Sequence, residues 1–305
     1  MRIAFAGTPA FAATVLGGLL SSAHEVGLVI SQPDPRKSRG RKTMKTPVAE
    51  LADSQDLPLR QPPHISEISE ELSPYDALVV AAYGQILHPD TLHATAAGAY
   101  NVHASLLPRY RGAAPVERAI MNGETESGVT IMRMDEGLDT GPIALQRPVV
   151  IPPEMNAGEL TDLLAHTGAE ALVESLDLLQ TDSLSFVEQD SAHATYASKI
   201  TDRDRVIEWG ARVREVHDLI RALAPHIGAR TFLRDVAGPI KIWRSAMLET
   251  EGASAQLGRI QAENGRITVN CGDGRLEVLE LQAPGGRRLA AREFLLGNQL
   301  EGAFR

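Results

Sequence analysis

Residues 101–143 read NVHASLLPRYRGAAPVERAIMNGETESGVTIMRMDEGLDTGPI. The segment opens with Asn101-Val102-His103 in an apolar, strand-like run and closes with Asp139 in a loop flanked by Gly137 and Gly141. Strand residues two apart project to one face, so Asn101 and His103 share a direction. An amide, an imidazole and a carboxylate are together suited to moving an acyl group between amines. The first two hydrogen-bond the oxyanion of a tetrahedral intermediate, while the carboxylate orients the ring and favours its charged form. Histidine suits this work because its ordinary pKa of about 6.5 lets it change charge near neutral pH.

Outward from this stretch, the first half alternates strand and helix signals. RIAFAG (2–7), EVGLVIS (25–31), DALVVAAYG (76–84), YNVHAS (100–105) and GVTIMRM (128–134) are short apolar or β-branched runs. Helix-like patterns lie between or after them, at 8–20, 47–54, 115–122 and 157–179. Near-continuous apolar strands separated by helices predict an α/β, Rossmann-like, mostly parallel sheet with helices on both faces. Ligands in such sheets bind beyond the carboxyl ends of the strands. Asn101 and His103 sit late in their strand, and Asp139 follows the next one, so all three are expected at that edge.

The reading divides the chain into 1–183 (catalytic domain), 184–204 (a polar, pattern-poor linker) and 205–305. The last part shows a helix at 213–224, then the strand runs ARTFLRD, PIKIWRSAML, GRIQAE, RITVNC and RLEVLELQ. Asn264-Gly265 and Gly272-Asp273-Gly274 punctuate these as turns. Short antiparallel strands over about 100 residues suggest a small OB-like β-barrel.

Composition narrows the class. A chain of 305 residues with 43% hydrophobic content can build one large core or two ordinary ones. The formal charge of −9 excludes a generally sticky nucleic-acid binder, so a polyanionic partner needs a local basic patch. The single cysteine, Cys271, excludes an intramolecular disulfide framework and a cysteine metal cluster. Met1-Arg2 and the Ala-rich run after it imitate a secretory signal, but Gly7-Thr8-Pro9 interrupts the run. No stretch approaches the length of about 20 apolar residues that spans a bilayer. The expectation is a cytoplasmic monomer. The remaining histidines show no metal-ligand spacing, so no metal is expected.

Three further motifs carry paired readings. Gly7-Thr8-Pro9 follows the first strand but lacks G-x-G-x-x-G spacing, leaving either a tight turn or a pocket wall, and arguing against a nicotinamide enzyme. Ser105-Leu106-Leu107-Pro108 is either a rigid wall for a flat heterocycle or a loop entering the helix that Pro115 begins. The stretch 34–45, DPRKSRGRKTMK, carries Arg36, Lys37, Arg39, Arg41, Lys42 and Lys45. It is either a solvated basic loop or, following the second strand, a phosphodiester contact beside the pocket. Such contacts position a nucleic acid without reading its bases.

These residues resemble a known family. AGTPAFA (6–12), AAYGQIL (81–87), NVHASLLPRYRGAAP (101–115) and MDEGLDTGPI (134–143) are similar to the methionyl-tRNA formyltransferase family. The likeness continues through YASKI (196–200), IEW (207–209), HDLIRAL (217–223), IKIW (240–243) and the segment from Cys271 to Leu295, and so covers essentially the whole chain. NVHASLLP and GLDTG occur in folate-dependent formyltransferases generally and point to the reaction class. The basic stretch and the second domain point to tRNA.

The resemblance implies formyl transfer from 10-formyltetrahydrofolate to the α-amino group of methionyl initiator tRNA. It implies Asn101, His103 and Asp139 as catalytic residues and Ser105, Leu106, Leu107 and Pro108 as folate contacts. It also implies tRNA contacts from Arg36, Lys37, Arg39, Arg41, Lys42 and Lys45, with the second domain contributing. Two departures stand out: Pro225-His226-Ile227-Gly228 replaces the family's Pro-x-Pro-Gly turn, and Gln85 and His88 replace smaller or apolar residues. Rival readings are an enzyme formylating a sugar nucleotide or purine precursor, a formate-releasing folate hydrolase, and a non-catalytic tRNA-binding protein.

Overall fold

The computed structural model describes residues 1–35, 44–234, 236–248 and 256–305. In chain order the main elements of the first half are β1 (Arg2–Gly7), α1 (Ala10–Leu20), β2 (Glu25–Ile30), α2 (Pro47–Ser54), β3 (Leu59–Arg60), β4 (Ala77–Ala81), α3 (Pro89–Leu92), β5 (Ala99–His103), β6 (Arg111–Gly112), α4 (Pro115–Met121), β7 (Glu126–Arg133), β8 (Ile143–Val150) and α5 (Ala157–Gln180). There follow β9 (Tyr196–Ala197), α6 (Val213–Ala222), β10 (Ala229–Thr231), β11 (Ile240–Leu248), β12 (Ile260–Glu263), β13 (Arg266–Asn270), β14 (Arg275–Gln282), β15 (Leu289–Ala290) and α7 (Ala291–Leu295).

Two compact units emerge. One comprises 1–115, 126–150 and 161–197; the other comprises 116–125, 151–160 and 198–305. The first unit is therefore not a single run of chain: two ten-residue excursions cluster with the second. The polar stretch from 184 to 197, read from sequence as linker, clusters with the first, where β9 pairs with β6 in parallel.

The first unit is built on a seven-stranded sheet of order β3-β2-β1-β4-β5-β7-β8. The five strands from β3 to β5 pair in parallel, whereas β5·β7 and β7·β8 are antiparallel. Both faces are covered. Ala4, Ala6, Leu28, Ile30, Leu78 and Val80 form one core layer with Ile65, Ile68 and Leu72. Ile3, Phe5, Val29 and Val79 alternate with these along β1, β2 and β4, and all four are fully buried on the other face. This explains why the strands read as unbroken apolar runs.

Close approaches fix two glycines. A Cβ on Gly7 would stand 2.6 Å from the Ala12 Cβ, so the turn from β1 into α1 accepts no side chain. A Cβ on Gly168, in α5, would stand 2.8 Å from Cγ1 of Val102, so that helix lies directly on β5.

The second unit contains a six-stranded antiparallel sheet in the order β10-β11-β14-β13-β12, with β15 added to β14. The last residues of the chain bridge the two ends of this order: Ile260 N–H donates to the Gly302 carbonyl at 3.0 Å and Phe304 N–H to the Gly258 carbonyl at 2.9 Å beside β12, while Phe232, just after β10, exchanges bonds with Arg305 at 3.1 and 2.9 Å. Trp209 stacks on Phe304 at 5.6 Å, and its indole donates to Thr231 Oγ1 at 2.9 Å. Along α6, the buried Asp218 accepts from Arg221 at 2.7 Å and Arg214 at 2.9 Å, and His217 ties the helix to Ser245 of β11 at 3.0 Å. Among the described residues no helix is long and apolar enough to cross a membrane.

Candidate active site

Asn101 and His103 occupy alternate positions of β5, the strand where the parallel and antiparallel parts of the sheet meet. Asn101 is partly exposed, and no described residue hydrogen-bonds its side-chain amide. His103 is buried, with its Nε2 3.0 Å from the Tyr110 carbonyl. A carbonyl only accepts, so Nε2 carries a proton and the neutral ring presents the Nδ1 lone pair. Nδ1 lies 3.8 Å from Asp139 Oδ2, an ion-pair separation rather than a hydrogen bond. A second proton, on Nδ1, would make an imidazolium facing that carboxylate.

Asp139 is held by the backbone before it meets the ring. Its Oδ2 accepts the Gly112 N–H at 2.8 Å, and its own φ is +53°, a left-handed conformation that Asp tolerates better than most residues. The sequence argument for its position needs correction. β7 runs antiparallel to β5, with Arg133 opposite Tyr100 and His103 opposite Thr130. The end of β7 is therefore directed away from the carboxyl edge, and Asp139 arrives only because the 135–142 loop turns back. Asp135 Oδ1 braces that loop by accepting from Gly137 N at 3.0 Å and Thr140 Oγ1 at 2.6 Å.

Ser105 to Pro108 forms a braced segment after β5. The buried Thr130 hydroxyl donates to the Ser105 carbonyl at 2.7 Å and accepts the Leu107 N–H at 3.1 Å. Gln146 Nε2 donates to both the Leu107 carbonyl (2.8 Å) and Thr130 Oγ1 (2.9 Å). The Ser105 hydroxyl donates to the Arg109 carbonyl at 2.7 Å, and Ser105 and Leu107 are buried. Leu106 and Pro108 are the half-exposed members, so they and the backbone are what this segment offers a ligand.

The Gly7-Thr8-Pro9 turn ties strand ends together. Thr8 Oγ1 donates to the Tyr83 carbonyl at 3.2 Å and accepts the Gln32 N–H at 3.4 Å, joining the residues that follow β1, β2 and β4. Gln85 pins the 63–65 segment, accepting the Ile65 N–H at 3.0 Å and donating to the Pro63 carbonyl at 2.9 Å. With His64, Ile65, Ser66, Ile86 and His88 it lines a cavity of about 330 Å³. Burial pushes the Tyr83 phenol up to about 12 and the Cys271 thiol likewise to about 12.

Of the basic stretch, Arg36, Lys37, Arg39, Arg41 and Lys42 lie outside the described residues. Lys45 is exposed and ion-paired with Asp53. The flanks are fastened: Asp34 Oδ1 accepts from Thr46 N at 3.2 Å and Gln61 Nε2 at 2.7 Å. Among the described residues no group of three or more His, Cys, Asp or Glu side chains is placed to hold a metal ion.

Comparison with known proteins follows this geometry. The formyl transferase family matches residues 1–176, and the formyl transferase C-terminal domain matches residues 199–299. The chain belongs to the formyl transferase family. It is 63% identical to a methionyl-tRNA formyltransferase of Rubrobacter xylanophilus, over 100% of each chain. It is 42% identical to a methionyl-tRNA formyltransferase of Pelotomaculum thermopropionicum, over 98% of this chain and 96% of that one. Among solved structures, an N-formyltransferase from Helicobacter canadensis with folinic acid and dTDP-3-aminofucose aligns with a TM-score of 0.68. It shares 19% identity over 91% of this chain and 98% of its own, which shows the fold alone. As a formyl transferase, the chain is a one-carbon group transferase.

Sequence reasoning missed Gln189, whose Nε2 donates to the carbonyls of Asp139 (2.9 Å) and Gly141 (2.7 Å). It sits in a polar stretch without periodicity, where no local signal marks it. Thr130 was missed too, as one polar residue inside an apolar run.

Proposed function

We propose that this chain transfers the formyl group of 10-formyltetrahydrofolate to the α-amino group of methionyl initiator tRNA, giving N-formylmethionyl-tRNA for translation initiation. The full-length identity of 63% to a methionyl-tRNA formyltransferase carries the acceptor. The meeting of His103 and Asp139 beside Asn101 supports the chemistry. Translation initiation is a cytoplasmic process, so this reading puts the chain there.

The donor site fits a folate in one respect: a fixed backbone wall at Ser105–Pro108, braced by Thr130 and Gln146, stands directly after the strand bearing Asn101 and His103. When bound, the folate supplies the formyl carbon on its N10. The neutral methionine amine attacks that carbon; the bond from carbon to N10 breaks, one proton leaves the amine, and one reaches N10. Asn101, whose amide has no partner among the described residues, would donate to the formyl oxygen as negative charge builds there.

His103 has one ring nitrogen committed to the Tyr110 carbonyl, so Nδ1 is the atom that takes up or gives a proton. Asp139, 3.8 Å away, would stabilise the ring while it carries that proton. The basic residues between Arg36 and Lys45 would hold tRNA phosphates.

Formylation of charged initiator tRNA, with purified full-length variants, tests this. Removal of one oxyanion donor typically costs about 10²–10³ in rate and of a general acid–base group about 10²–10⁴, so Asn101→Ala and His103→Ala should fold and lose kcat by those orders respectively. Near wild-type turnover in either folded variant refutes the assignment. Free methionine, a sugar nucleotide and folate without acceptor, run in parallel, separate this reading from a small-amine formyltransferase or a hydrolase.

A further inference from the structure

Asp139 is gripped from two sides by one short piece of structure. β6 pairs with β9, and both residues of β6 reach the Asp139 loop. Gly112 donates its N–H to the Asp139 carboxylate at 2.8 Å. Arg111, only 2% exposed, donates Nε and Nη2 to Gln189 Oε1 at 3.1 and 2.7 Å. Gln189 in turn gives both protons of its amide nitrogen to the loop, at the Asp139 and Gly141 carbonyls. The circuit closes: Arg111 to Gln189, Gln189 to Asp139, Asp139 back to Gly112.

Two details mark this as more than loop packing. Among the described residues no carboxylate pairs with the buried Arg111 guanidinium; its acceptor is the neutral Gln189 amide. A cation on the oxygen side polarises the amide and strengthens its N–H donors, because bonds in series reinforce one another in a buried site. The placement of Gln189 is also built in. Val187 exchanges two backbone bonds with Ile143, at 2.8 and 2.9 Å, which lays the 187–189 segment along the end of the loop.

We infer that Gln189 is a positioning residue for the reaction, with Arg111 as its anchor, holding the left-handed Asp139 backbone so that the carboxylate faces His103. The inference rests on the assignment of Asp139 proposed above. It makes the stretch leading out of the first unit a working part of the site. A displacement near 1 Å at a catalytic group can cost about 10²-fold in rate.

The discriminating variant is Gln189→Glu in the full-length chain. The new carboxylate keeps an acceptor for Arg111 but has no proton for the Asp139 and Gly141 carbonyls, and it adds negative charge beside the loop. Assayed with charged initiator tRNA and 10-formyltetrahydrofolate, Q189E should lose about 10- to 100-fold in kcat. KM for both substrates should stay within about threefold, and the acidic limb of the kcat–pH profile should move to higher pH.

Gln189→Asn keeps the amide but shortens its reach, and should lose kcat with an unmoved limb; it carries the comparison if Q189E does not fold. Wild-type kcat in a folded Q189E or Q189N, beside an Asp139→Asn control that is depressed, overturns the inference alone. A kcat loss that disappears on correction for folded fraction overturns it as well, because the role is then structural. An Asp139→Asn control with wild-type activity removes the underlying assignment instead.

Discussion

Replacing Thr130 with Val removes one oxygen atom and almost no volume, yet the structure makes it a costly change. The hydroxyl is fully buried and makes three hydrogen bonds, to the Ser105 carbonyl, the Leu107 N–H and Gln146 Nε2. Gln146 retains the Leu107 carbonyl as acceptor, so it is only half deprived. The Ser105 carbonyl and the Leu107 N–H lose these bonds outright. At about 1–2 kcal/mol for each buried group left unmatched, the loss is about 2–4 kcal/mol. The added methyl returns up to about 0.8 kcal/mol through burial. The net expectation is about 1–3 kcal/mol.

Urea unfolding followed by a probe in the first unit reads this out. With a slope near 2 kcal/mol per molar, the midpoint should fall by about 1 M. Thr130→Ser, which keeps the hydroxyl and loses a methyl, should cost only about 1 kcal/mol. The Ser105–Pro108 wall rides on the same brace, so T130V should also raise KM for the folate while T130S leaves it nearly unchanged. A T130V midpoint within about 0.3 M of wild type refutes the reasoning, since it would mean that neither backbone group depended on Thr130.

Asp139→Ala should destabilise more than Asp139→Asn by about 1 kcal/mol, because only the latter tolerates the left-handed backbone; equal melting temperatures would contradict this. Neutralising Arg39 and Arg41 should weaken tRNA binding and flatten its salt dependence while leaving folate binding intact, and an unchanged salt slope would return that stretch to a solvated surface.

The pH dependence follows from His217, which burial pushes below its ordinary value despite Glu154 at 3.7 Å and the neighbouring Asp218; Arg221 also pushes it down. The unfolded chain then binds the extra proton first. Stability is complete above about pH 6.5 and declines as the pH drops below it. His217→Asn should flatten urea stability between about pH 6.5 and 5, and an unaltered slope would disprove the assignment.

How much of this was legible in the chain depended on the residue. α2 begins at Pro47 and α5 spans 157–180, both close to the sequence reading, because proline and a long apolar periodicity are local signals. The direction of β7 was not legible: a strand buried on both faces carries no sign that distinguishes parallel from antiparallel neighbours. β8 escaped notice since its half-exposed IALQRPVV, with Pro148 inside, looks like loop until it is seen as a sheet edge.

The shared face of Asn101 and His103 followed from strand alternation and their assignment from the family resemblance, while their approach to Asp139 was foreseen for a reason that the antiparallel β7 removes. Gln189 acts through main-chain carbonyls distant in sequence, and nothing in its neighbours announces such a partner. The expected phosphate contacts from Arg36 to Lys42 fall outside the described residues and stand on charge pattern alone.

β5 has hydrogen-bonded neighbours on both sides, and α5 packed against it. Amide exchange along such an interior strand requires the whole unit to open, whereas edges and loops exchange through local fraying. Asn101 and His103 thus ride on the last part of the unit to come apart, whereas Asp139 sits in the 135–142 loop and is kept in place by its own local bonds. Heat inactivation is therefore expected to begin at the Asp139 loop, ahead of the cooperative melting that frees the strand bearing Asn101 and His103.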